Sequence, residues 1–160
     1  MGMPPLDLVR AANEEKSYTE HFVMLPSRWT AFAAVSQPAL AWSIARFDDT
    51  SASTIPPGSG IYAFVVQSGV APPLASWCLY VGKSKGLRKR YLQYRRERAS
   101  TTGRPKIVYR LNLWPDHMYF WYASVPAADI TWVENALIRA LTPPGNDDVP
   151  ADIRAPHAAF

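Results

Sequence analysis

"LYVGKSKGLRKRYLQY" (residues 79–94) carries two signals that point to different chemistries. Gly82-Lys83-Ser84 has the ending of a phosphate-wrapping P-loop, whereas "KSKGLRKR" is a basic run of the kind that meets nucleic acid. Spacing decides the first reading. A P-loop needs a glycine five residues before its Gly-Lys pair, so that successive backbone N–H groups can curl around a phosphate. Trp77 stands there, and "WCLYV" (77–81) reads as a buried strand, which excludes a nucleotide-binding loop.

The basic run remains. Eight of the seventeen Lys and Arg lie within residues 83–98: Lys83, Lys85, Arg88, Lys89, Arg90, Arg95, Arg96 and Arg98, with Glu97 the one acid among them. The net charge of +4 is modest but unevenly spread, because residues 1–50 are slightly acidic and residues 51–160 carry thirteen basic against seven acidic side chains. A focused positive patch suits a polyanion, with a solvated helix face as the plain alternative.

Other classes fall away on composition. With 160 residues, 48% of them hydrophobic, the chain can bury a core without disulfides or metals. One cysteine excludes a disulfide framework and cysteine-rich zinc sites, fits a reducing, cytoplasmic setting, and at Cys78 falls in an apolar strand where inert packing is expected. His21, His117 and His157 are too scattered for a metal cluster. No signal peptide is evident, and the uncharged run 29–45 is interrupted by Ser36-Gln37-Pro38 and falls short of a membrane span. Two short helices are expected there instead.

Outward from the opening stretch, "GIYAFVV" (60–66) and "WCLYVG" (77–82) predict an antiparallel hairpin with a long, proline-broken loop. Helices are predicted over 86–98 and 131–141, and a strand over 118–125, while 104–114 is ambiguous. "DDTSASTIPPGSG" (48–60) reads as a linker. The expected division is an N-terminal helical extension (1–50), a linker (51–59), a compact domain (60–148) and a C-terminal tail (149–160).

Two polar residues stand where apolar ones belong. In "TWVENALIRAL", Glu134 shares a helix face with Leu137, Ile138 and Leu141, where an unpartnered carboxylate is costly. It needs a cation, a hydrogen-bond network or a metal ion, or else Thr131 and Glu134 form a capping box. In the preceding helix Arg90 flanks the stripe of Leu87, Tyr91 and Tyr94, a setting for a guanidinium that grips phosphate or for one that covers a ring.

Assembled in order, these residues resemble the GIY-YIG nuclease superfamily. Gly60-Ile61-Tyr62 is its first signature, and Tyr80-Val81-Gly82 a variant of its second. Arg90 follows the second tyrosine by ten residues, Tyr94 follows by four more, and Glu134 and Asn146 complete the set. The run 79–94 is similar to the N-terminal nuclease domain of the bacterial excision-repair incision subunit. The resemblance covers roughly residues 58–148, with a longer hairpin loop than the pattern has.

It implies a small α+β fold: a three-stranded, mostly antiparallel sheet flanked by helices, with residues 1–50 as a helical extension. It also implies hydrolysis of phosphodiester bonds in DNA, with RNA open, assisted by one Mg²⁺ or Mn²⁺ ion held by Glu134. By the same pattern Arg90 faces the scissile phosphate, and Tyr62 orients or deprotonates water with Lys83 or Arg90 favouring its phenolate. Tyr80 and Tyr94 position water and phosphate, and Asn146 hydrogen-bonds within the site. Lys83, Lys85, Arg88, Lys89, Arg95, Arg96 and Arg98, helped by Arg104, Lys106 and Arg110, are expected on backbone phosphates, giving salt-dependent binding. A noncatalytic nucleic-acid binding module is the rival reading. So is a recruited or effector nuclease whose residues 1–50 dock a protein partner; no membrane partner is expected.

Overall fold

The computed structural model describes residues 5–35, 38–69, 75–100 and 102–146. The expected tail and the tip of the hairpin loop, 70–74, lie outside them. In chain order the elements are helix α1 (Pro5–Ser17), helix α2 (Pro26–Ala34), strand β1 (Ser43–Arg46), a 3-10 turn (Ser51–Thr54), β2 (Gly60–Gln67), β3 (Ser76–Ser84), α3 (Leu87–Ser100), α4 (Pro105–Leu113), β4 (Met118–Ser124) and α5 (Ile130–Leu141). The fold is α+β. No helix among the described residues is long and apolar enough to cross a membrane.

The sheet is antiparallel with strand order β1-β4-β2-β3. It therefore has four strands, one more than the sequence predicts. The extra strand lies in the segment expected to be helical. After Pro38 the pattern becomes alternating, with Ala45 and Phe47 buried and Ile44 and Arg46 exposed, which suits a strand and not a helix. Pairing Ser43–Arg46 along β4 covers an edge that would otherwise stand open.

The stretch read as a linker is likewise part of the packed body. Asp48 Oδ1 accepts from the backbone N–H of Thr50 and of Ser51, each at 2.9 Å, and so opens the 3-10 turn. Ile55 is fully buried beside Phe47 and Leu87. Hydrophilic composition alone does not mark a boundary when the backbone polar groups find partners on a neighbouring helix.

Strand β2 sits centrally, and its uninterrupted apolar run is explained by burial on both faces. One face, with Tyr62, Phe64 and Val66, packs against α3 and α4; the other, with Ile61, Ala63 and Val65, packs against α5. The first face is an aromatic layer. Tyr62 stacks on Phe120 at 5.2 Å, and Phe64 meets Tyr94 edge-on at 5.0 Å. Such pairs contribute about 0.5–1.5 kcal/mol each beyond their buried area.

Residues 104–114, ambiguous in the sequence, form helix α4. Pro105 occupies its first turn, where a missing N–H costs nothing, and Ile107, Val108 and Leu111 are buried at helical spacing. Helix α2 lies along α5, with Phe32, Leu40 and Trp42 against the second core, yet Trp29 and Val35 stay exposed.

Candidate active site

A cleft of about 430 Å³ opens at the free edge of β3, lined by Tyr80, Lys83, Arg104, Lys106, Glu134 and Asn146 among others. It lies where α4 comes over one face of the sheet and α5 over the other. Four elements converge there, and each has a local reason to do so.

Residues 145–146 seal the strand edge. Helix α5 ends at Thr142 in the left-handed conformation (φ 42°), its N–H returning to the Ile138 carbonyl at 2.8 Å. A β-branched residue is strained there. Its hydroxyl donates to the Val23 carbonyl at 3.0 Å, and two prolines follow, so the chain cannot continue as helix. It turns back onto β3 instead.

Gly145 N–H donates to the Leu79 carbonyl at 2.7 Å, an approach open only to glycine, since a Cβ would lie 2.6 Å from that oxygen. The Asn146 amide then pairs with the backbone of Val81 at both ends, accepting from its N–H at 2.9 Å and donating to its carbonyl at 2.8 Å. Asn146 thus acts as one residue of an added strand. Replacing it by Ala strips two backbone groups of partners, and Asn146→Ala should lose about 1–3 kcal/mol of stability in urea unfolding.

The tyrosines reach the cleft through a register shift. A bulge between Phe64 and Val65 sets Leu79 and Tyr80 on the same face, so Tyr80 joins Tyr62 and Phe64 while Cys78 and Val81 face the other core. Tyr62 and Tyr94 lie behind Tyr80, buried, their hydroxyl oxygens 3.1 Å apart. Arg104 closes the group, donating to Tyr80 Oη at 2.9 Å and to Tyr94 Oη. The phenol of Tyr62 occupies the space that a Cβ at Gly82 would need, 2.5 Å from its Oη, which accounts physically for a glycine after Tyr80-Val81.

Burial, and next the oxygens of Tyr94 and Tyr80, push the Tyr62 phenol well above the usual tyrosine value; the charge of Arg90 opposes this and loses. Tyr94 is raised too, by burial first and then by Tyr80. Neither phenol is poised to ionise near neutral pH. Cys78 is held as a thiol, its pKa pushed up to about 12 by burial.

Glu134 settles the helix question. Its Oε2 lies 2.7 Å from Lys83 Nζ, reaching across from α5 to β3. The capping box is not formed: Asp129 is the N-cap, and its carboxylate accepts from the Trp132 indole at 2.9 Å. Among the described residues no three His, Cys, Asp or Glu side chains gather as a metal cage. Among the described residues Glu134 is the single carboxylate lining the cleft. That donor set fits one hard divalent ion of the Mg²⁺ type, which keeps most of its waters and takes few protein ligands.

No protein-family model matches the chain, and no curated protein matches it. Among solved structures it is similar to the GIY-YIG N-terminal endonuclease domain of UvrC from Thermotoga maritima, a point mutant bound to the catalytic divalent cation. The two share 21% identity with a TM-score of 0.39 over 57% of this chain and 84% of that one.

The remaining site residues separate by position. Arg90 is half-buried on α3, donates to Gln93 Oε1 at 2.9 Å, and is absent from the cleft lining. Three members of the basic run are engaged in holding residues 47–55 to α3. Arg88 donates to the Ile55 carbonyl at 2.8 Å, Arg95 pairs with Asp49, and Arg98 donates to the Phe47 carbonyl while lying 4.8 Å over its ring. Arg110 forms a bidentate pair with Glu20, at 2.7 and 3.1 Å. Lys85, Lys89 and Arg96 are exposed. Charge counted along the sequence therefore overstates the surface available to a polyanion.

By sequence Arg104 reads only as one more phosphate contact, and its bonds to two tyrosines go unseen. Its signal was local: Gly103 (φ 96°) makes the turn and Pro105 starts the helix, so the residue between them is presented in one fixed direction.

Proposed function

We propose that this chain is a metal-dependent endonuclease that hydrolyses phosphodiester bonds in DNA. The observation that supports it best is the gathering, among the described residues, of one carboxylate, Glu134, three cationic side chains, Lys83, Arg104 and Lys106, and the Tyr80 hydroxyl in a single cleft. Attack of water on a phosphodiester builds negative charge on the non-bridging and leaving oxygens, and fixed cations in a confined site lower that barrier without having to reorganise.

In this reading Glu134 holds the divalent ion, which when bound supplies a Lewis acid for the phosphoryl oxygen. Lys83 keeps the carboxylate in place on the cleft wall and adds positive charge beside it. Tyr80 orients the attacking water: its oxygen accepts from Arg104 and keeps a second lone pair for a water proton. Tyr62 and Tyr94, neutral and buried, serve as the rigid backing that fixes Tyr80 and Arg104. Arg90 stands beside this layer and acts on Tyr62 through its charge. Asn146 keeps β3 straight at the cleft.

Lys85, in the turn before α3, and Lys89 and Arg96, on the exposed side of α3, carry the DNA backbone, and such contacts release counterions and weaken with salt. Arg88, Arg95 and Arg98 support that surface from within.

The test is incubation with supercoiled plasmid. Nicking is expected with Mg²⁺ or Mn²⁺ and none with EDTA. Binding without cleavage on duplex, branched and single-stranded substrates would overturn the enzyme reading in favour of a noncatalytic DNA-binding module.

A further inference from the structure

We propose that Arg104 is the guanidinium that grips the scissile phosphate in this chain, and that the same side chain fixes Tyr80 so that phosphate and attacking water are held by one group. The inference rests on the nuclease reading above and gives the scissile phosphate to a residue that the signature positions do not include.

Position is the first argument. Arg104 lines the cleft together with Tyr80, Lys83 and Glu134, whereas Arg90 does not. Arg90 begins a chain of side chains running along α3: its Nη1 donates to Gln93, and Gln93 Nε2 donates to Glu97 Oε1 at 2.8 Å. A guanidinium committed to its own helix is poorly placed to turn into the cleft.

Donor arithmetic is the second. A guanidinium carries five N–H groups in a rigid plane. Arg104 spends one on Tyr80 Oη and one on Tyr94 Oη, and its Cζ lies 5.6 Å from the centroid of each ring. The two tyrosines hold the plane from one side. Three N–H groups are left on an exposed residue, in the fork geometry that matches paired phosphate oxygens.

Backbone pre-organisation is the third. Gly103 adopts φ 96°, and a Cβ there would fall 2.6 Å from the Glu97 carboxylate, so the turn packs tightly onto α3. Pro105 holds Arg104 extended (φ −75°, ψ 112°) at the start of α4. The positive end of the α4 dipole therefore faces the same space as the guanidinium. Little order remains to be created when a phosphate arrives.

A purely structural clamp would bind the same two tyrosines, so the experiment must read contact with DNA. We would compare the full chain with Arg104→Met and Arg104→Lys. The readouts are plasmid nicking with Mg²⁺ at saturating protein, and anisotropy binding of a short labelled duplex with Ca²⁺ across a salt series.

Arg104→Met is expected to lower the salt slope of binding by about 0.9, one phosphate contact, and to slow nicking by about 10²-fold. Arg104→Lys should recover the slope, because the charge returns, but not the rate, because the fork does not. A wild-type salt slope in Arg104→Met overturns the proposal while leaving the nuclease standing. A lowered slope in a chain that never nicks DNA supports the phosphate contact and overturns the nuclease. Wild-type protein that binds no duplex overturns both. Should Arg104→Met fail to fold, the lysine variant decides alone: wild-type nicking in it removes the fork from the mechanism.

Discussion

Glu134→Gln should abolish metal-dependent nicking while leaving the protein folded. Among the described residues this carboxylate is the single acid lining the cleft, so an amide there removes the anionic ligand. An ion acting as Lewis acid is worth several kcal/mol of transition-state stabilisation, so the loss should reach about 10³-fold or more. The stability change should be small. The Lys83–Glu134 pair is short at 2.7 Å, but the lysine side chain is 36% exposed and stays hydrated when its partner is neutralised. Pairs of that exposure contribute about 0–1 kcal/mol. Plasmid nicking and thermal melting on the same preparation check both halves. A Glu134→Gln protein that nicks at the wild-type rate would remove the carboxylate from the chemistry.

The second large effect comes from the two signature glycines, which should fail differently. In Gly60→Ala the new Cβ falls 2.3 Å from the Ala123 carbonyl oxygen and 2.7 Å from a Leu87 methyl. The first obstacle is backbone of the adjoining strand β4 and cannot rotate away. The cost should lie at or above the upper end of the overpacking range, about 3 kcal/mol, and the melting temperature should fall by about 6–12 °C.

In Gly82→Ala the Cβ meets the Tyr62 phenol at 2.5 Å. That ring is stacked on Phe120 and bonded to Tyr94, so it shifts only by disturbing the tyrosine layer behind the cleft. A smaller melting change of about 3–6 °C should accompany a disproportionate loss of nicking. Thermal denaturation set against cleavage per folded molecule separates the two. Equal ratios in both variants would show that Gly82 matters for packing alone.

Much of this is legible in the sequence alone. The continuous apolar runs at 60–66 and 77–82 became the predicted hairpin, because a short apolar run bounded by turn residues is a local consequence of side-chain order. Leu87, Tyr91 and Tyr94 became the buried stripe of α3 at helical spacing for the same reason. The odd carboxylate Glu134 announced itself as a polar residue on an apolar face, and its partner proved to be Lys83.

Strand β1 was harder to see. Four residues after a proline carry too little pattern to outweigh the alanine-rich run before them, and what makes them a strand is the free edge of β4. Turn-like composition at 51–59 concealed a packed connection for a related reason: the carbonyls of Ser53 and Ile55 are satisfied by Arg88, more than thirty residues away.

By itself the sequence determined the framework: which segments are apolar strands, which helix faces are apolar, and which carboxylate stands on an apolar face. Only the tertiary structure decided how the cations are shared out. Arg88, Arg95 and Arg98 are drawn inward by carbonyls and an acid from a distant segment, and Arg104 is turned toward two tyrosines. The reason is range. Periodicity and turn chemistry act over a few residues, whereas a charged side chain takes whatever acceptor the folded surface brings within hydrogen-bond distance.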